Sequence, residues 1–288
     1  MRGRASRTPA WCGPGAFLLF LLAACAPLPQ VFSGPPYAEE VRPARVRVVV
    51  AGMRSPQEAR PYWDFLGGLE ALLGERVEVF GRRTYQEVLE ALRKGEAQLG
   101  FLCTLAAGLG VEEGFLEVVL AGRTQVPYQS VIVVREDAPY RTLADLYGQP
   151  FAFTDPLSNT GHAWPRLLAR GLGEGFFARA FFTYGHDRAL RAVREGLAEG
   201  AGVDRVVYAA SSQGLRVLAQ GLVDPPPPVV VPRGLAEGEK RRLVEAILAL
   251  ARTPEGQKAL KALGLVGFSW ADGAPYRAVY RRAKEVLP

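Results

Sequence analysis

The sequence predicts an α/β protein of two lobes, each built on a mostly parallel sheet flanked by helices. Short β-branched runs alternate with amphipathic helical stretches, which is the pattern of parallel strands joined by crossover helices. This alternation occurs in two successive series along the chain. About 240 residues follow residue 44, enough for two packed lobes of roughly 100–150 residues each.

The first series of elements extends to about residue 122. Apolar residues recur at helical spacing over 61–74, and Thr84 can cap a second helix over 85–95 that stops at its terminal glycine. Short apolar runs predict the strands of this series at 46–52, 76–80, 97–102 and 116–122.

The second series predicts strands at 128–134, 150–154, 180–184 and 200–203, followed by three C-terminal helical stretches at 236–251, 254–263 and 273–286. Because the apolar faces of these last helices need a partner, we expect them to pack on the first series. The second series is then an insertion. The expected division is lobe 1 at 45–127 with 229–288 and lobe 2 at 128–228, joined by two hinge crossings near 126–131 and 226–231.

The N-terminus has the pattern of an export signal. Three arginines precede an apolar run over 16–24 that is too short to span a bilayer, and small residues lead up to Cys25. A cysteine at this position is similar to the lipid-modified residue of bacterial lipoproteins. We expect a signal peptide at 1–24, lipidation at Cys25 and a tether at 25–44. The alternative is an ordinary signal peptide with an incidental cysteine.

Composition narrows the possible partners. The formal net charge is +6, and loss of residues 1–24 would reduce it to +3. No lysine or arginine block is interleaved with aromatic residues, so we expect no nucleic-acid partner. Of the three cysteines, only Cys103 would remain as a free thiol after processing and lipidation. We therefore expect no disulfide within the mature chain, no metal site and no cofactor.

A cluster of hydrogen-bond donors follows the predicted strand at 150–154. Ser158 and Thr160 offer hydroxyl groups, Asn159 offers an amide, and Gly161 begins a helix whose first backbone N–H groups lack partners. Donors beside a helix N-terminus suit an oxyanion. The alternative is that Ser158 or Thr160 only caps the helix, although capping accounts for one of these residues rather than four.

Other candidate residues also lie near strand ends. His186 follows the strand at 180–184, and Asp204 ends the strand at 200–203. His186 could donate to an oxyanion, which would raise its pKa, and Asp204 could accept a proton from an acidic P–OH group. Tyr85 and Tyr128 lie at the loop–helix junction and at the entry to the second lobe. For each of these residues the structural alternative is a satisfied core side chain or a helix cap.

From about residue 46 to 280 the sequence resembles the phosphate/phosphite/phosphonate-binding proteins of ABC transporters. The segments that carry the resemblance are "TYQEVLEALRKGEAQLGFL", "YQSVIVVREDAPYRTLADLYGQPFAFTDPLSNTG", "YGHDRALRAVREGLAEGAGVD" and "PPVVVPRGLAEGEKRRLVEAILALARTPEGQKALKALG". The resemblance implies the two-lobed periplasmic-binding-protein type II fold. The family's ligand loop, commonly Ser-Thr-Ser-Gly, falls on residues 158–161, its binding histidine on His186, its two tyrosines on Tyr85 and Tyr128, and an acidic position on Asp204.

The sequence departs from the family pattern at several positions. Asn159 replaces the usual threonine, and Thr104 stands where the family usually has a small loop residue or proline. A ligand with an amino tail would need an acidic residue at the far wall of the cleft, but Val206 and Pro227 are uncharged there. The sequence therefore disfavours an aminoalkylphosphonate and favours phosphate, phosphite or a small alkylphosphonate.

The expected function is that of an exported solute-binding protein. It would be monomeric and anchored by its N-terminal lipid at the outer face of the cytoplasmic membrane or in the periplasm. It would deliver a small phosphorus oxyanion to a membrane permease and its ATPase. A sensor with the same fold and a binder of another small anion, such as a sulfonate, stay open as alternatives. An enzyme is disfavoured: Ser158 lacks the G-x-S-x-G elbow, and Asp187 directly follows His186.

Overall fold

The computed structural model describes residues 46–51, 54 and 59–287. The predicted signal peptide, Cys25 and tether lie outside these residues. None of the helices in the described part of the chain combines the length and the apolar character needed to cross a bilayer.

Strands and helices alternate along the described chain. The strands are β1 (Val46–Ala51), β2 (Val77–Arg82), β3 (Leu99–Phe101), β4 (Leu116–Thr124), β5 (Gln129–Arg135), β6 (Phe151–Phe153), β7 (Ala180–Phe182), β8 (Gly200–Asp204), β9 (Leu215–Val223), β10 (Pro228–Pro232) and β11 (Leu265–Trp270). The helices are α1 (Arg60–Leu66), α2 (Leu69–Leu73), α3 (Tyr85–Arg93), α4 (Thr104–Glu112), α5 (Trp164–Leu168), α6 (His186–Arg194), α7 (Arg205–Ala210), α8 (Glu237–Leu250), α9 (Pro254–Ala262) and α10 (Ala274–Ala283).

The strands form two sheets. The first has the order β11-β4-β10-β3-β1-β2 and the second the order β7-β6-β8-β5-β9. We call the first sheet with its helices the first half and the second sheet with its helices the second half. The first half draws on the chain before β5 and after β9, so the second half is an insertion into it. The C-terminal helices α8, α9 and α10 pack on the first half, as their apolar faces predict.

The chain crosses between the sheets twice, from β4 to β5 and from β9 to β10. Both crossings join carboxyl edges: Ser130 at the start of β5 pairs with Asp204 at the end of β8, and Pro228 at the start of β10 pairs with Ala121 near the end of β4. The strands that follow the two crossings, β5 and β10, therefore run antiparallel to their neighbours. The pairings are parallel among β1, β2 and β3 and among β6, β7 and β8. This topology places the carboxyl ends of both sets of parallel strands beside the crossings, where ligands of open α/β sheets bind.

Most elements match the sequence expectation, but several were missed, among them α4 and β11. Helix α4 is buried along almost its whole length, so its sequence carries no amphipathic period. Its Gly108 lies against the Tyr276 backbone of α10, and a Cβ atom there would approach the Tyr276 carbonyl oxygen to 2.2 Å. Strand β11 is a short edge strand interrupted by Gly267, whose φ is +146°, and its length and composition give a weak strand signal.

Candidate functional site

The donor cluster of residues 158–161 forms a buried turn directly after β6. Asn159–Ala163 is a single π-helical turn, and the Ser158 hydroxyl caps it by accepting the Gly161 N–H at 3.0 Å. The capping alternative is therefore realised for Ser158, although its hydroxyl still has a proton to donate. Gly161 is needed for packing, because a Cβ atom there would lie 1.9 Å from Thr154 Oγ1.

The amide of Asn159 is held from the crossing between β9 and β10. Its Nδ2 donates to Asp224 Oδ2 at 2.9 Å, and the same oxygen accepts from Trp164 Nε1 at 2.5 Å and from Arg282 at 2.7 Å. The Arg282 guanidinium also lies over the Trp164 ring, 4.5 Å from its centroid. One donor of the amide is thus already used. The second Nδ2 proton and the buried Oδ1, which has no hydrogen-bond partner among the described residues, remain for a ligand.

His186 and Asp204 lie side by side at the carboxyl edge of the second sheet. The Asp204 N–H donates to His186 Nδ1 at 3.1 Å. Nδ1 therefore carries the lone pair, and the proton of the neutral ring is on Nε2. Nε2 forms no hydrogen bond within the described part of the chain, so its N–H is available to a ligand. Burial lowers the pKa of His186 to about 4, an effect that the charge of Asp187 opposes and that of Arg54 reinforces.

Asp204 combines a structural and a site role. Its Oδ1 accepts the Val206 N–H at 2.9 Å and so caps α7, as the structural alternative anticipated. Burial raises the pKa of its carboxyl to about 7, although the Val206 N–H and the Arg54 cation act in the opposite direction. A carboxyl with this pKa can accept a hydrogen bond from a protonated ligand oxygen near neutral pH. Asp187, in contrast, does not cap α6: the cap position is Gly185, and no side chain caps this helix.

Tyr85 and Tyr128 are both buried, with 2% exposure each. Burial raises the pKa of both phenols well above the usual range, and the nearby Cys103 adds to the rise. Both tyrosines therefore stay neutral hydrogen-bond donors. Tyr85 is the first residue of α3, which begins as predicted with a Thr84–Glu87 capping box.

Hydrogen bonds across the two halves bring the predicted residues together. The Asn159 N–H donates to Cys103 Sγ at 3.3 Å, and the same sulfur lies 3.9 Å from the Tyr128 hydroxyl. Ser130, opposite Asp204 in the sheet register, donates to the Thr160 carbonyl at 2.6 Å. The Tyr85 N–H donates across the halves to Asp155 Oδ2 at 3.2 Å. Tyr128 adds to the rise in the pKa of the Tyr85 phenol, so the two side chains are near each other.

Five residues that shape this site were not singled out from the sequence. They are Arg54, Tyr62, Cys103, Asp155 and Asp224. The positions of Arg54, which follows β1, and Asp155, which follows β6, offered the same strand-end signal that identified His186. Asp224 and Cys103 act through contacts distant in the sequence, for which the chain gives no local pattern.

The chemistry available here is that of a binding site. Its donors are neutral hydroxyls, phenols, backbone amides and one imidazole. Asp204 and Asn159 Oδ1 are acceptors, and the Arg54 cation acts on the pKa of both His186 and Asp204. Burial raises the pKa of the Cys103 thiol, which disfavours a reactive thiolate. Within the described residues, no group of histidine, cysteine and carboxylate side chains could hold a metal ion. Such an arrangement can surround a small, protonated oxyanion.

Comparison with known proteins agrees with this assessment. The family model "ABC transporter, phosphonate, periplasmic substrate-binding protein" matches residues 48–276. The phosphonates-binding periplasmic protein of Escherichia coli (strain K12) is 26% identical over 263 residues, which cover 85% of this chain and 75% of that protein.

Two solved structures share the fold. PhnD1 from Prochlorococcus marinus (MIT 9301), in complex with methylphosphonate, superposes with a TM-score of 0.75 at 17% identity, covering 83% of this chain and 97% of that one. A binding protein component of an ABC phosphonate transporter from Pseudomonas aeruginosa gives 0.73 at 18% identity, covering 83% and 85%. The fold is thus the two-lobed periplasmic-binding-protein type II fold. With its family match over most of the sequence, the chain belongs to the phosphonate periplasmic substrate-binding proteins of ABC transporters.

Proposed function

We propose that this protein is the extracytoplasmic solute-binding component of an ABC importer. It binds a small phosphorus oxyanion (phosphate, phosphite or a small alkylphosphonate) between the two halves and delivers it to the permease. The observation that carries the proposal is the His186–Asp204 pair. The Asp204 N–H fixes the imidazole with its Nε2–H free, next to a carboxyl that can accept a proton. Donor and acceptor are thereby set side by side for one ligand.

The ligand set in this proposal comprises the eight residues expected from the sequence. Neutral donors hold the anionic oxygens: Ser158, Thr160, the free amide proton of Asn159, the phenols of Tyr85 and Tyr128, and His186 Nε2–H. Gly161 lets the loop approach Thr154 closely, and Asp204 accepts the remaining P–OH proton. A fully ionised sulfonate has no such proton to donate, and Asp204 in its ionised form would repel it.

Closure of the two halves completes the site. Three of its residues are held by contacts that span the halves: Tyr85 through Asp155, and Asn159 and Tyr128 through Cys103. We place the hinges at 125–128 and 224–227, so that 45–127 with 229–288 and 128–228 move as the two lobes. Ligand binding then favours the closed arrangement because only that arrangement assembles all the donors.

Isothermal titration calorimetry of the full chain, purified in detergent, tests the proposal. Phosphate, phosphite, methylphosphonate and methanesulfonate are titrated at pH 7. At least one phosphorus oxyanion is expected to bind saturably, and methanesulfonate at least a hundredfold more weakly. Absence of binding for all three phosphorus compounds, or a preference for the sulfonate, would refute the ligand class.

The proposal also includes the cellular setting predicted from the sequence. A monomer carries lipid on Cys25 after removal of residues 1–24, and the loaded protein docks on a permease with its ATPase. Mass spectrometry of the protein isolated from membranes should show an N-terminal diacylglyceryl cysteine. A chain that starts at another residue without lipid would contradict the anchor while leaving the ligand assignment intact.

A further inference from the structure

An apolar cavity adjoins Asp204, and its lining includes none of residues 158–161. Its volume is about 30 Å³, and its lining includes side chains from both halves. We call it the apolar recess and define it by Leu102, Val206, Pro227, Leu263, Leu265 and Phe268. Its polar lining residues include Arg54, Tyr62 and Asp204. Asp204 therefore belongs both to the candidate anion site and to the recess.

The polar lining residues form one cluster. The Arg54 cation acts on the pKa of both Asp204 and Tyr62, and the charge of Asp204 acts on Tyr62, so the three side chains are close together. Beyond them the lining consists of hydrocarbon and aromatic side chains together with Thr124. Tyr62 packs edge-on against Phe101, with ring centroids 6.0 Å apart, and Phe101 packs against Phe268 at 6.2 Å.

The recess exists only when the halves are together. Val206 on α7 belongs to the second half, whereas Leu263 and Leu265 belong to the first. The two walls meet at Gly264, which has a φ of +76° and where a Cβ atom would lie 2.3 Å from Val206 Cγ1. A group inside the recess would thus contact both halves and favour closure.

We propose that the apolar recess binds the carbon substituent of an alkylphosphonate with a tail of one or two carbons. This inference rests on the proposed function, because it requires the phosphonate group at the Asp204 side. The volume is that of about two water-sized groups, which fits a methyl or ethyl tail and excludes a longer one. A tail with an ammonium group would compete with Arg54 for Asp204 and would be desolvated against the hydrocarbon walls.

Calorimetry with a graded series tests the recess. The full chain in detergent is titrated with phosphite, methyl-, ethyl-, propyl- and 2-aminoethylphosphonate. We expect the Kd to fall about fourfold from phosphite to methylphosphonate and again to ethylphosphonate, since burial of each carbon contributes about this factor. Propylphosphonate should bind more weakly than ethylphosphonate, and 2-aminoethylphosphonate at least tenfold more weakly.

Two variants on adjacent residues assign the effect to the recess. Leu265→Phe should fill it, leaving phosphite affinity within about threefold of the parent and removing the advantage of ethylphosphonate. Val266→Phe is the matched control, because Val266 is 43% exposed and does not line the recess. Val266→Phe should bind the compounds of the series with the same order of affinities as the parent. Thermal melting of both variants verifies that each is folded.

The outcomes separate the two proposals. The recess assignment is wrong, and the proposed function stands, if phosphite or phosphate binds but the alkylphosphonates show one of three other results. These results are Kd values that all equal that of phosphite, a Kd that rises with each added carbon, or tighter binding of 2-aminoethylphosphonate than of ethylphosphonate. If no phosphorus compound binds, both fail. If Val266→Phe changes the series as much as Leu265→Phe does, the recess is not the tail site.

Discussion

The two histidines of the chain share a degree of burial and a lowered pKa but differ in how their nitrogens are used. His162 is fully buried and His186 is 2% exposed, and burial lowers the pKa of each to about 4. His162 donates from Nδ1 to the Pro156 carbonyl at 2.7 Å and accepts from Arg166 at Nε2, also at 2.7 Å. His186 accepts at Nδ1 from the Asp204 N–H, and its Nε2–H has no hydrogen-bond partner among the described residues.

The difference shows that burial and pKa alone do not identify a ligand-binding histidine. His162 has both nitrogens satisfied and packs between Phe153 and Phe182, with ring centroids at 4.7 and 5.1 Å. It is therefore a core residue of the second half. His186 has one nitrogen satisfied by the backbone, which sets the tautomer that an anion requires. In the proposed site, the unsatisfied donor rather than the lowered pKa is therefore the reason for assigning His186 to the ligand.

Replacement of His162 should produce the largest effect in this comparison. His162→Ala removes a buried ring between two phenylalanines and leaves the Pro156 carbonyl and the Arg166 donor without their partner. We expect a loss of about 3–4 kcal/mol in the free energy of unfolding, measured by urea denaturation. Ligand affinity of the folded fraction should stay within about threefold. A variant that keeps its stability but loses binding would reverse the roles of the two histidines.

Replacement of His186 should affect binding instead of folding. In His186→Asn the side-chain oxygen can still accept the Asp204 N–H, while the Nε2–H is lost. Affinity for the phosphorus oxyanion should fall about ten- to hundredfold, the range for one hydrogen bond to an anion. The free energy of unfolding should change by less than about 1 kcal/mol.

His186→Ala serves as the companion of this variant. It also leaves the buried Asp204 N–H without an acceptor, which adds a cost of about 1–3 kcal/mol to folding. We therefore expect both binding and stability to fall in His186→Ala. Equal stability of the Ala and Asn variants would contradict the hydrogen bond to Nδ1.

The free energy of unfolding should depend on pH through the carboxyl of Asp204. Its folded pKa is about 7, above the ordinary value of 3.8, so between these values the folded state holds a proton that the unfolded chain has released. Its contribution to stability is complete below pH 4 and is lost as the pH rises towards 7. Asp204→Asn should therefore be as stable as the parent at pH 4 and more stable by about 3–4 kcal/mol at pH 8 without ligand. Urea denaturation at the two pH values measures this, and a gap that widens towards acid pH would contradict it.

The smallest effect concerns the arginine behind His162. Arg166→Met removes the donor to His162 Nε2 and should cost about 1 kcal/mol of unfolding free energy. Arg170→Met is the matched control, because Arg170 forms only an exposed ion pair with Glu285 and should contribute less than about 0.5 kcal/mol. Equal losses of stability in Arg166→Met and Arg170→Met would contradict a stabilising hydrogen bond from Arg166 to His162.

The sequence predicted the elements that have a one-sided apolar pattern. Most strands of the two sheets and the three C-terminal helices follow from their apolar patterns, and the capping box at Thr84 predicted the start of α3. Helix α4 could not be found in this way, because it is buried along almost its whole length and its residues show no period. The antiparallel direction of β5 and β10 in their sheets could not be predicted either. It depends on the edge at which the chain passes from one sheet to the other, and no local sequence pattern specifies that edge.

The candidate site was predictable as far as it lies at strand ends. Ser158, His186 and Asp204 all follow predicted strands, and topology brings such ends together. The orientation of each side chain was not predictable, because it depends on distant partners. Asn159 is held by Asp224, 65 residues away, and the tautomer of His186 is set by a backbone N–H 18 residues away.

The central claim is that, of the two histidines, only His186 contacts the ligand, and that it does so through the Nε2–H of its neutral imidazole. Because the chain contains two histidines, ¹⁵N NMR of protein labelled at histidine gives two imidazole signal sets, which His186→Asn assigns. At pH 7 without ligand, His186 should show a protonated Nε2 and His162 a protonated Nδ1. On addition of the tightest-binding phosphorus oxyanion the His186 Nε2 signal should shift and the His162 signals should stay in place. A shift confined to His162, or a His186 protonated at Nδ1, would contradict the account.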